Sequence, residues 1–166
     1  MDDKKLLFIV NPRAGKTKSL APLFDAAAIY SEAGYLVSVR KTTHRGEATE
    51  LAESLGPEFD VVVCHGGDGT LNECVNGAAG RSNVAVTHFP CGTGNDFIRM
   101  FGDEAPLFRD LDRLMSGFVR PIDVIDCNGR YCVNLCSTGS SAGASPCSSC
   151  RGGRKPTDAP LATQSC

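Results

Sequence analysis

No apolar run in this 166-residue chain approaches the roughly 20 residues that a membrane-spanning helix needs, which excludes such a helix. An excess of positive charge is missing as well. Lys and Arg number 17 against 19 Asp and Glu, and the net charge of −2 argues against a nucleic-acid binder. The apolar stretch at 6–10, after Met1-Asp2-Asp3-Lys4-Lys5, is too short for the core of a signal peptide, so a cytoplasmic protein is expected. A zinc set is absent: Cys147 and Cys150 form a C-x-x-C, but neither a second pair nor a histidine accompanies them. Nor does that pair have the strand–helix context of a redox motif. The nine cysteines are an odd count for a disulfide framework and read as reduced thiols, with Cys64 and Cys74 as core residues.

The length suits one ordinary hydrophobic core. Apolar runs predict strands at 5–10, 35–40, 60–65, 83–89, 119–125 and 131–135. Helical patterns lie between them, at 19–33, 46–55, 70–77, 95–101 and 108–115. The first places Leu20, Leu23, Phe24, Ala27 and Tyr30 on one stripe and stops at Gly34. Strand–helix alternation with near-continuous apolar strands predicts an α/β fold: an open, mostly parallel sheet with helices on both faces.

Three glycine-rich segments follow predicted strands. They are Asn11-Pro12-Arg13-Ala14-Gly15-Lys16, Gly66-Gly67-Asp68-Gly69-Thr70-Leu71-Asn72-Glu73 and Pro90-Cys91-Gly92-Thr93-Gly94-Asn95-Asp96. Glycines let backbone approach a phosphate, and the first N–H groups of a helix point at the anion. Open parallel sheets bind ligands along the edge where all three loops fall, so the three predict one site. Asp68 either organises a metal ion, manages a proton or caps the following helix. His65 either lines the site or is structural, and Thr42 and Thr43 either reach a nucleotide or cap a helix. Asp96 is another cap or points at substrate. A P-loop is excluded because Val10 stands where its first glycine belongs. A dinucleotide fingerprint fails because its third glycine would fall on Phe97.

Asn11 to Gly15, Thr42-x-x-x-Gly46-x-Ala48, Gly66 through Asn76-Gly77, and Pro90 through Asn95-Asp96-Phe97 together resemble the diacylglycerol kinase catalytic domain of bacterial soluble lipid kinases. Sphingosine and ceramide kinases are relatives. NAD kinases share Gly-Gly-Asp-Gly-Thr but lack the Asn-Pro entry segment. The resemblance implies transfer of the γ-phosphoryl group of ATP, with Mg2+, to a lipid hydroxyl reached peripherally at a membrane surface. By matching position it implies nucleotide contacts from Asn11, Gly15, Thr42, Gly67, Gly69, Thr70 and Thr93. Pro12, Arg13, Ala14, Gly66, Asn72, Glu73 and Gly92 complete that binding set, and Asp68 is the essential acid. It also implies a second, β-rich domain that supplies magnesium ligands and the base. The alternatives are a non-catalytic ATP-binding module and a kinase of a soluble substrate such as NAD.

These readings divide the chain into a nucleotide-binding domain at 1–125, the first strands of an incomplete β-rich domain at 126–136, and a disordered tail at 137–166. The tail holds seven Ser, four Gly, four Ala and three Pro, with one Leu and no larger or β-branched apolar residue, too little to offset its ordering entropy. The abrupt change suggests a truncation with a reading-frame shift near Gly139, leaving a chain that binds ATP but lacks turnover. An exposed edge at 131–135 predicts self-association.

Overall fold

The computed structural model describes residues 4–15, 21–110, 113, 117–134, 154–155 and 160–162. Its centre is a parallel sheet of β1 (Lys5–Val10), β2 (Leu36–Lys41), β3 (Val61–Gly66) and β4 (Ala85–Pro90), in the order β2-β1-β3-β4. Alternation along β1 sorts the core into two layers. Leu6, Phe8 and Val10 pack with Leu23, Ala26 and Tyr30 of α1 (Ala21–Glu32). Leu7 and Ile9 face the other way, onto α2 (Glu47–Ser54) and α3 (Asp68–Ala78). Helices therefore cover both faces, and strands buried on both sides read as continuous apolar runs.

Several elements depart from the sequence pattern. Within α1 the sheet takes the narrow strip Leu23, Ala26 and Tyr30, while Phe24 stands 70% exposed. Leu20 lies outside the described residues. After the short α4 (Asp96–Arg99), a 3-10 helix occupies Gly102–Arg109, and the helix expected at 108–115 lies partly outside the described residues. Pro106 inside it removes a donor from any α-helical ladder, and Phe101 and Phe108 pack edge-on or tilted against Phe97 and each other.

The strand expected at 119–125 is divided into β5 (Val119–Pro121) and β6 (Val124–Cys127), where Pro121 has no N–H to extend a ladder. β6 turns into β7 (Arg130–Cys132) through Asn128 and Gly129, both at positive φ (55° and 80°), the conformation of a two-residue I′ hairpin turn. Two short strands form in the tail. β8 (Arg154–Lys155) pairs with β6, and β9 (Pro160–Ala162) joins the otherwise unpaired side of β4 to β5. The rest of the tail, with Cys147 and Cys150, lies outside the described residues.

α2 and α3 cross in contact at Gly77. A Cβ there would meet the Thr49 carbonyl, the Ala52 methyl and the Glu53 nitrogen. Helix propensity alone would make Gly77→Ala stabilising by about 1 kcal/mol. Overpacking against backbone costs about 1–3 kcal/mol. We expect packing to win, so the urea midpoint of Gly77→Ala should fall; a rise would show that the two helices separate freely.

Candidate functional site

The three glycine loops meet at the C-terminal edge of the sheet through backbone. A Cβ on Gly92 would lie 2.6 Å from the Gly67 Cα, and one on Gly67 would lie 3.3 Å from the Gly92 Cα. Gly15, at φ +80°, faces the Cys91 carbonyl so closely that a side chain there would collide with it. The Cys91 N–H donates to the Gly66 carbonyl (3.0 Å) and the Asn11 N–H to the His65 carbonyl (2.9 Å). Around this junction opens a cleft of about 460 Å³.

Asn11 ties the first loop to the second. Its Oδ1 accepts from the Arg13 N–H (2.9 Å), and its Nδ2 donates to Thr70 Oγ1 (3.0 Å). Thr70 in turn rests on Gly66, where any Cβ would come within 2.6 Å of its side chain. Thr42, nearly buried, donates its N–H (2.9 Å) and hydroxyl (3.3 Å) to the Val10 carbonyl. Beside it, Glu47 accepts from the Thr43 N–H and hydroxyl and from the His44 N–H. The Thr43 groups hold the Glu47 carboxyl below its ordinary range. This pins a loop whose Gly46, at φ 91°, leads into α2.

Asp68 is the first residue of α3, yet it caps α4. Its Oδ2 accepts from the Asp96 N–H (3.0 Å) and its Oδ1 from the Phe97 N–H (2.9 Å). Asn95, at φ 52°, closes the 92–95 turn by bonding the Gly92 N–H (3.1 Å) and carbonyl (2.6 Å) through its side chain. The carboxylate of Asp68 is thus oriented by the third loop while it lines the cleft. Asp96 itself is exposed and pairs with Arg99 (3.3 Å).

The cleft brings together most of the residues singled out in the sequence. Asn11, Arg13, Ala14 and Gly15 line it from the first loop, and Thr42 from the second crossover. Gly67, Asp68, Gly69, Thr70 and Glu73 line it from α3, with Gly92 and Thr93 from the third loop. Pro12, Gly66 and Asn72 are not among the lining residues. Gly66 serves packing beneath Thr70, and Asn72 directs its Oδ1 to the Val133 N–H (3.2 Å). Thr43, His44, Arg45 and Gly94 also line the cleft. Arg45 was legible as a cation two residues beyond the Thr42-Thr43 pair. Among the described residues no group of three His, Cys, Asp or Glu could hold a metal ion by itself.

Two histidines lie under the junction. His65 stacks on Phe89 (ring centroids 5.4 Å apart, planes within 9°), with Nδ1 3.5 Å from Cys91 Sγ. His88 is fully buried with Nε2 3.0 Å from the Gly66 carbonyl, and its Nδ1 has no hydrogen-bond partner among the described residues. Burial pushes both imidazoles below the ordinary 6.5. A histidine kept neutral in the fold contributes stability above its unfolded-state value, and that contribution is lost as pH falls below 6.5 and the unfolded chain takes up protons. Urea unfolding from pH 7.5 to 5 should therefore show a shallower loss of stability in His88→Phe than in the parent chain. Parallel pH profiles would rule His88 out as a source of the loss.

The sequence profile described as the diacylglycerol kinase catalytic domain matches residues 5–127. The chain is 37% identical over 139 residues to a diacylglycerol kinase of Bacillus subtilis (strain 168), which covers 82% of this chain and 46% of that protein. A diacylglycerol kinase of Staphylococcus aureus (strain MRSA252) is 37% identical over 138 residues, covering 82% and 44%. The chain thus spans a little under half the length of these curated relatives. A crystal structure of a diacylglycerol kinase from Bacillus anthracis str. Sterne superposes with a TM-score of 0.60 at 28% identity, covering 79% of this chain and 50% of that one. With the three loops, their order and their sheet all accounted for by that match, the chain belongs to the diacylglycerol kinase catalytic-domain family.

Proposed function

We propose that the cleft binds ATP with Mg2+ and forms the nucleotide half of a lipid kinase, which transfers the γ-phosphoryl group to a diacylglycerol-like hydroxyl. The observation that carries this reading is the convergence of three glycine loops on the N-terminus of α3, with Asp68 facing the same cleft as Arg13 and Arg45. Gly69, where a Cβ would meet nothing within 4 Å, leaves backbone open to phosphate oxygens, while Gly15 and Gly67 hold the neighbouring loops against it, and the first turn of α3 presents free N–H groups. Arg13 and Arg45 supply positive charge for the polyphosphate.

Mg2+ is commonly held by one or two carboxylates together with substrate phosphates rather than by an all-protein cage. Asp68 fits that mode, with Glu73 five residues further along α3 in the same cleft. Magnesium, when bound, neutralises charge on the phosphate oxygens during transfer. Phosphoryl transfer depends mainly on positioning and electrostatics, and this chain's part is to orient the nucleotide and hold Asp68 through α4.

The relatives run about twice this length. We assign to that further portion the base for the lipid hydroxyl and the far wall of the site. Among the described residues no helix is long and apolar enough to cross a membrane. We place the protein in the cytoplasm, meeting its lipid by peripheral contact.

Calorimetry with ATP and Mg2+ should detect binding by the 166-residue chain, with little or no turnover. Asp68→Ala should weaken binding roughly tenfold, the loss of one charge-assisted interaction. Asp68→Asn removes the charge but keeps only one of the two acceptors that hold α4, so its binding loss is read beside its urea midpoint: an unchanged midpoint with weakened binding assigns the loss to charge. In a full-length protein containing this segment, γ-labelled ATP should label diacylglycerol in mixed vesicles. Label on NAD instead would identify a soluble-substrate kinase, and ATP binding with no labelled product would identify a binding module.

A further inference from the structure

Two asparagines on α3 take no part in the cleft and bind the second sheet instead. Asn76 Oδ1 accepts from the Tyr131 N–H (2.9 Å), and its Nδ2 donates to the Tyr131 carbonyl (2.7 Å) and to the Asn72 carbonyl within the helix (2.7 Å). One carboxamide thus satisfies both backbone groups of a strand residue, as a neighbouring strand would. Asn72 Oδ1 accepts from the Val133 N–H (3.2 Å).

The spacing accounts for the double contact. In a two-residue hairpin the closing pair, Cys127 and Arg130, faces inward. The next pair, Asp126 and Tyr131, turns its N–H and carbonyl outward, and so does residue 133. Outward groups two residues apart on a strand are separated by about 6.7 Å. Residues four apart on a helix lie on one face, about 6 Å apart along the axis. Asn72 against Val133 and Asn76 against Tyr131 match these two periods, with helix and strand running in opposite directions. Within the second sheet β7 is an edge strand, and the edge expected to lie open at 131–135 is covered at 131 and 133.

We infer that Asn72 and Asn76 are positioning residues forming a clasp, by which the helix that begins at Asp68 fixes the first hairpin of the second sheet. The same rigid helix then sets both the cleft carboxylate and the placement of the adjoining sheet. This assigns Asn72 to the joint between the two sheets and away from the nucleotide, and it stands whether or not the cleft takes ATP.

Amide hydrogen exchange on the 166-residue chain tests it. In the parent, the Tyr131 and Val133 amides should be protected. Asn76→Leu should speed exchange at Tyr131 roughly tenfold or more, and Asn72→Leu should do so at Val133, with Phe8 and Ile9 of β1 unchanged. Asn76→Ser and Asn72→Ser, which lose the reach of the amide but stay small and polar, serve where a leucine variant does not fold. ATP affinity of Asn72→Leu should stay within about twofold of the parent. The inference is overturned if the parent amides exchange freely or if every amide accelerates by the same factor. It is equally overturned if Asn72→Leu loses ATP affinity tenfold while Val133 keeps its protection. If the parent fails to bind ATP, the nucleotide proposal falls and the exchange pattern still decides the clasp.

Discussion

Gly67 and Gly92 approach so closely that a methyl group on either would press on the backbone of the other. That contact holds the second and third loops at backbone distance, with no side chain between them. Gly15 does the same for the first loop against the Cys91 carbonyl. Once the loops touch in this way, the N–H groups of residues 96 and 97 fall within reach of Asp68, and the short α4 is held by a carboxylate from another helix. Beneath, His88 Nε2 lies against the Gly66 carbonyl and His65 stacks on Phe89, so the junction rests on an aromatic floor. The relative placement of the three loops, and with it the orientation of Asp68, derives from this meeting of glycines.

Much of this was legible in the amino-acid sequence because both faces of the sheet are buried. β1, β3 and β4 carry apolar side chains at nearly every position, which marks them as strands and their following glycines as loops at one edge. Patterns weaken where a surface is only half covered. α1 buries Ala26 between Leu23 and Tyr30 on its sheet-facing side, while Phe24, larger and more apolar than Ala26, faces outward. The split of the 119–125 run turns on a single missing donor at Pro121. The hairpin that follows had its signal in Asn128-Gly129, the pair that best accepts two positive φ angles.

The site divides along similar lines. Glycines and Asp68 mark loops at the strand ends by composition, and their convergence follows from strand order. The partners of Asp68 lie 28 and 29 residues away, and no local spacing encodes that pairing. Asn72 and Asn76 sit in the same motif as Asp68, so motif membership suggests one shared task. The helix instead presents Asp68 at its tip and the asparagines along its flank, and the two positions meet different surroundings. His88 stands beside Thr87 in a strand buried along its whole length, a pattern that does not reveal the carbonyl it meets.

The buried thiols carry a practical consequence. Cys64 on β3 and Cys74 on α3 are wholly enclosed, and burial drives the Cys64 thiol well above its ordinary value; Cys91 is pushed up to about 11. Alkylating reagents attack thiolates, so the closed molecule offers them little at these positions. Cys64 lies two residues before the Gly66-Gly67 pair, and Cys74 six residues along the helix from Asp68. Any fluctuation that admits a reagent to either sulfur must also part the strand and helix that support the glycine loops. Labelling at those two cysteines is thus a stopwatch for dismantling of the cleft, built into the chain without any added probe.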